Sequence, residues 1–149
     1  MADRPAVALD TSVVVAGLGT WHEHHPQAYG LLARLLGGSE APRVVVPRQV
    51  VTEAYSVLTR LPAPRRMSPE AVLRSLSETF RDCVEVVDRP EGDVWSFLLA
   101  ARQRGIAGGS IHDAAILDVA EGAGASRLYT FNLRHFERLG SRRVEIVSP

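Results

Sequence analysis

Ala6-Val7-Ala8-Leu9-Asp10-Thr11-Ser12 is a short apolar run that stops at a carboxylate followed by two hydroxyls. The run has strand character, and the residues after it lead into a helix. A strand that delivers an acid at its C-terminal end, where a helix begins, places that acid at one mouth of a parallel sheet. In open α/β sheets this mouth is where ligands bind. The reading of the chain turns on whether other acids reach the same mouth.

Downstream, Ser12 to Leu18 continues as a short helix, and Trp21 to His25 is a polar loop. Pro26 opens a helix to about Leu36 with Ala28, Leu31, Leu32 and Leu35 as its apolar stripe. Val44 to Val46 reads as a second strand closed by Pro47. The helix that follows runs to about Arg60, with Val50, Ala54, Val57 and Leu58 on one face and Glu53 half-buried at its flank. Leu61 to Arg66 is a proline-broken loop, and Ser68-Pro69 starts another helix as N-cap and first residue. Val84 to Val87 is a third strand, and Asp93 caps a helix from Val94 to about Arg104. After Gly105 and Gly108-Gly109, a helix spans Ser110 to Glu121. Leu128 to Phe131 is a fourth strand, Asn132 caps a short helix from Leu133 to Leu139, and Val144 to Val147 is the last strand. Strands alternating with helices predict an α/β fold in one domain spanning residues 1–149, its sheet mostly parallel and covered on both faces. Glu85 and Glu145 alternate with apolar neighbours and read as solvent faces of edge strands.

Composition narrows the chemistry. Of 149 residues 46% are hydrophobic, and the formal net charge is zero, so no global basic field advertises nucleic acid. No run approaches the roughly 18 apolar residues of a membrane span. Asp3 and Arg4 come early with no signal-peptide core behind them, and the single Cys83 excludes an internal disulfide framework. These features suit a cytoplasmic protein with no membrane partner. All 17 basic residues are Arg. Chemistry that needs lysine, such as a P-loop, a Schiff base or a phosphate-accepting receiver domain, is therefore out of reach.

Each candidate residue has a plain structural role open to it. Asp10 can cap the helix after it, Glu53 can pair with Arg60, Ser110-x-x-Asp113 resembles a capping box, and Asn132 is a good N-cap. Asp118 is either a secondary acidic group or an ion-pair partner for an Arg. Trp21-His22-Glu23-His24-His25 reads as surface polar residues before a metal site. The combination carries more. Strand C-termini share one edge in a right-handed doubly wound sheet, which brings Asp10 and Asn132 together. Asp113 reaches that edge if the Gly108-Gly109 turn lies over it. Acids converging there repel one another unless a hard cation such as Mg²⁺ or Mn²⁺ neutralises them.

At this point the chain resembles PIN-domain ribonucleases, most closely the VapC-type toxins of toxin–antitoxin pairs. The matching pieces are Leu9-Asp10-Thr11-Ser12, Thr52-Glu53, Gly108-Gly109-Ser110-Ile111-His112-Asp113-Ala114, and Leu128-Tyr129-Thr130-Phe131-Asn132 with Phe136 behind it. They occur in the family's order across residues 6–147. The resemblance implies a PIN-like three-layer α/β/α domain whose sheet has about five short strands. It implies an endoribonuclease dependent on Mg²⁺ or Mn²⁺, in which the cation activates water for in-line attack on RNA. Asp10, Glu53 and Asp113 would be the metal-ligating catalytic acids. Asn132 stands at the fourth position, commonly Asp, and His135 stands where a further Asp often occurs. Ser12, or Thr11, would help orient Asp10 or a metal-bound water, and Ser12 and Arg134 would contact the substrate. Arg134 and Arg138, and the Arg60, Arg65, Arg66 and Arg74 cluster, are candidates for holding RNA phosphates. The implied partners are a VapB-like antitoxin that covers the acidic site and a second copy of the chain in a homodimer. The alternative reading is a catalytically weak PIN-like module that binds RNA or protein without cutting.

Overall fold

The computed structural model describes residues 4–149; Asp3 and the first three positions of the single-domain reading lie outside them. In chain order the elements are β1 (Ala6–Leu9), α1 (Thr11–Leu18), α2 (His25–Leu36), β2 (Arg43–Pro47), α3 (Arg48–Arg60) and α4 (Pro69–Phe80). They continue as β3 (Glu85–Val87), α5 (Asp93–Gln103), α6 (Ser110–Gly122), β4 (Ala125–Tyr129), α7 (Leu133–Leu139) and β5 (Glu145–Val147). One sheet runs β3-β2-β1-β4-β5, and every ladder in it is parallel.

All four residues of β1 are buried, as expected for a central parallel strand covered on both faces. Helices α1 to α4 pack among themselves, α5 to α7 form a second group, and β2 touches α3 from one group and α6 from the other. The result is the three-layer α/β/α arrangement. The outer strands are β3 and β5, and each carries a charged pair at its exposed face. Arg43 donates to both oxygens of Glu85 at 2.9 and 2.8 Å, and Arg127 Nε donates to Glu145 at 3.1 Å. Such exposed pairs add little stability. Their effect is to mark both sheet edges with charge, which discourages pairing with other strands.

The chain order reverses at β1: β2 and β3 build outward on one side, β4 and β5 on the other. The crevice between the C-terminal ends of β1 and β4 is therefore the topological switch point. The Asp10 amide donates to the Tyr129 carbonyl (3.0 Å), and the Thr130 amide to that of Val147 (2.9 Å). These bonds carry the ladders past the strand ends and fix Asp10 and Thr130 side by side. Close packing of α1 on α2 depends on Gly17, where a Cβ would meet Leu32 Cδ1 at 2.5 Å.

Local sequence signals met tertiary competition in four places. The fourth strand begins at Ala125 and ends at Tyr129, because Ala125 and Arg127 pair with Ala6 and Val7 across a bulge at Ser126, and Thr130 turns away into the site. Asp93 lies inside α5 with Gly92 as the cap, and its carboxylate is 3.7 Å from Arg89 Nε. The Ser110–Asp113 capping box does not form, since Ser110 Oγ donates to the Ala107 carbonyl at 2.7 Å. Asn132 occupies the cap position of α7 but makes no side-chain cap bond. The Ser68 cap is realised, accepting from the Ala71 amide at 3.1 Å.

Candidate active site

Asp10 is 3% exposed, and three donors converge on its Oδ2. Ser12 Oγ donates at 2.8 Å, Thr130 Oγ1 at 2.8 Å and the Ser12 amide at 3.4 Å. The bond from the Ser12 amide is also the N-cap of α1, so the capping role open to Asp10 is realised. Two further amides set the hydroxyls: that of Phe131 donates to Ser12 Oγ (3.0 Å), and that of Asn132 to Thr130 Oγ1 (2.9 Å). A hydroxyl has one proton. Because each proton is directed at Asp10, the 3.3 Å approach of Ser12 Oγ to Thr130 Oγ1 is a contact within the network and not a further bond to it. Oδ1 receives no bond from any of the described residues. Among the described residues no buried side-chain oxygen or nitrogen is left without a partner, so Oδ1 opens onto accessible space. The carboxylate is thus held by one oxygen and offers the other.

Thr130 was not among the residues singled out from sequence. It is fully buried, and the signal for it was a lone hydroxyl between Tyr129 and Phe131 at a strand end. Its partner lies 120 residues away, which no local pattern reveals.

Glu53 projects from α3 toward α1 and accepts from Thr11 Oγ1 at 3.0 Å. It is exposed, where its place beside the apolar stripe predicted half-burial, and this hydroxyl replaces the expected pairing with Arg60. One turn earlier, Gln49 Nε2 donates to the His112 carbonyl at 3.1 Å and ties α3 to the start of α6. Gly108, with φ of 61°, makes the turn that leads into α6, a conformation other residues adopt at a cost.

Asp113 is half-buried on α6, with His135 Nδ1 3.5 Å from its Oδ2. Its pKa is raised above the ordinary carboxylate range. Burial is the main cause, followed by the charge of Asp10; His135 opposes this, Glu53 adds to it, and His112 opposes it. Asp113 therefore feels the charge of both other acids. Oxygen-only donors with unrelieved repulsion fit a hard divalent cation. Among the described residues, no group of three or more His, Cys, Asp or Glu side chains is arranged to hold a metal as it stands. The fit lies in charge and donor type.

A raised carboxyl binds its proton more tightly in the folded state, so folding stability falls as pH rises from the unfolded pKa through the folded one. The penalty is absent below the unfolded pKa and complete above the folded one. Asp113→Asn is expected to raise the melting temperature at pH 7 in chelator, with the gain vanishing below about pH 3.9, the unperturbed Asp value. Thermal unfolding from pH 3 to 7 checks this; a variant less stable at pH 7 contradicts it.

Asn132, Arg134 and His135 are exposed. Asp118 is an ion-pair partner, 3.2 Å from Arg89 Nε. The histidine loop packs instead of forming a ligand set: His25 Nδ1 is 2.8 Å from the Ala16 carbonyl, and His24 stacks on Phe131 at 4.6 Å and 13°.

The PIN domain family model matches residues 7–141. Ribonuclease VapC40 of Mycobacterium tuberculosis is 36% identical over 140 residues, which is 94% of this chain and 96% of that protein. The crystal structure of Mycobacterium tuberculosis VapC20, described as a sarcin–ricin loop cleaving toxin, superposes with a TM-score of 0.70 at 21% identity. The match covers 93% of this chain and 98% of that one. VapBC2 from Rickettsia felis, solved bound to a DNA fragment of its promoter, gives a TM-score of 0.64 at 17% identity, covering 96% and 98%.

Proposed function

The chain belongs to the PIN-domain family, alongside a VapC ribonuclease that it matches over nearly its whole length, and on that premise we propose that it is an endoribonuclease toxin restrained by a VapB-like antitoxin. The observation that carries this is Asp10, buried at the switch point with one oxygen fixed by Ser12 and Thr130 and the other open. The relative with 36% identity is named a ribonuclease, and similar folds have been solved as VapBC pairs.

Asp10, Glu53 and Asp113 would hold Mg²⁺ or Mn²⁺. When bound, the cation supplies an activated water and Lewis-acid stabilisation of phosphoryl oxygens. The chain's own residues do the positioning. Thr130 and Ser12 stop Asp10 from rotating, Thr11 orients Glu53 from the neighbouring helix turn, and His135 stands against Asp113. Asn132 adds an amide at the rim without adding charge. No side chain is required as a covalent nucleophile, so the lack of lysine is no obstacle.

No helix among the described residues is long and apolar enough to cross a membrane. A cytoplasmic toxin that pairs as a homodimer and meets its antitoxin at the acidic face fits this reading. The purified protein is expected to cleave structured RNA with Mn²⁺ or Mg²⁺, to stop in EDTA, and to recover when Mn²⁺ is restored. Cleavage that continues in EDTA sinks the metal mechanism. Tight RNA binding with no cleavage under either ion favours the second reading, a binding module, for which the neutral Asn132 is the motivating feature.

A further inference from the structure

Asp113 also lines a cavity of about 550 Å³, and its walls come from three helices and the loop between α5 and α6. Arg104 ends α5, Asp113 and Ser110 belong to the first turn of α6, and His135 and Arg138 come from α7. Both arginines are exposed, and among the described residues neither is paired with a carboxylate. Of the acids that line a cavity with Arg104, Asp93 and Asp118 face Arg89, at 3.7 and 3.2 Å, and Glu121 accepts from Ser141 Oγ at 2.7 Å. Two unspent guanidinium groups from separate elements, opening onto one cavity beside an acid of the site, suit an anion with several oxygens. The amide end of α6 adds positive potential to the same cavity.

We propose that this cavity is a phosphate subsite, in which Arg104 and Arg138 hold the RNA backbone phosphate next to the one cut. The assignment rests on the ribonuclease reading and supplies what a chain of zero net charge needs, a local basic grip. The rival surface, the arginines around the proline loop, is largely occupied with the fold. Arg66 Nε donates to the Leu61 carbonyl at 2.8 Å, Arg65 lies over the Trp21 ring at 5.4 Å, and Arg74 pairs with Glu70 at 3.0 Å.

The test is fluorescence anisotropy of a labelled single-stranded oligoribonucleotide, titrated at several salt concentrations with the full chain carrying Asp10→Asn to prevent cleavage. In that background Arg104→Gln and Arg138→Gln each weaken binding roughly tenfold and lower the slope of log K against log salt by about 0.7. Arg138→Lys keeps the charge, so it preserves the slope while losing part of the affinity. Arg74→Gln, on the rival surface, changes neither. Equal affinity and slope in both glutamine variants and their parent overturns the subsite. So does a parent that binds no RNA at any salt. Cleavage of the same oligonucleotide by the wild-type chain with Mn²⁺ is followed in parallel. If wild type cuts and the arginines have no effect, the subsite falls and the ribonuclease reading stands. If the arginines govern binding and wild type never cuts, the subsite stands and the ribonuclease reading falls.

Discussion

Asp10→Asn is expected to remove RNA cleavage, by roughly a thousandfold or more in kcat, while leaving the fold intact. Loss of one anionic ligand from a cation site forfeits several kcal/mol of transition-state stabilisation, and each 1.36 kcal/mol is tenfold in rate. The substitution is unusually clean here because the three donors all reach Oδ2. An asparagine carbonyl can accept from Ser12 and Thr130 in the same place, and its amide then occupies the open side. The cap of α1 survives, since it uses the same acceptor. Asp10 also raises the pKa of Asp113, so its removal relieves repulsion and the melting temperature should not fall. Cleavage at wild-type rate by this variant would remove Asp10 from the chemistry altogether. Thr130→Val gives a graded comparison, since it deletes one donor from the same oxygen and keeps the charge.

Phe136→Ala is expected to have the largest effect on stability. Phe136 is fully buried, the largest side chain to be so, and sits in α7 behind the site. Truncating a buried phenylalanine costs about 3–5 kcal/mol in transfer and cavity energy. A domain with about 5–15 kcal/mol in total cannot absorb that lightly. For a chain of this size the shift in melting temperature should be about 10 °C. Chemical denaturation gives the free energy directly, and a loss below about 1 kcal/mol would mean the neighbours refill the space. The same helix carries His135 and Arg138, so RNA affinity should weaken along with stability.

These two substitutions separate what was legible in the chain from what was not. The element order was legible because it depends on short-range physics. Apolar runs of strand length, helical stripes such as Ala28, Leu31, Leu32 and Leu35, and the Ser68-Pro69 start all act within a few residues. Asp10 and Asp113 were singled out together because Asp10 follows β1 and Asp113 lies in the first turn of α6, positions that parallel topology brings toward one edge. The exposure of Glu53 was not, because a helix stripe gives the direction of a side chain but not whether a neighbour covers it. Nor were the failed caps at Asp93 and Ser110. Each found a closer partner, Arg89 in one case and the Ala107 carbonyl in the other.

Sequence alone therefore determined the parallel α/β architecture and named Leu9-Asp10-Thr11-Ser12 as its pivot, because element type and order follow from local pattern, and strands alternating with helices pair in parallel. Only the tertiary structure decided how Asp10 is held. Its grip comes from Thr130, 120 residues along the chain, and its offered oxygen is the one those hydroxyls leave alone. It also decided that Arg104 and Arg138, on different helices, share a cavity with Asp113. Hydrogen bonds and cavities of this kind depend on distances between elements, and a linear pattern carries no record of those distances until the sheet has brought its ends together.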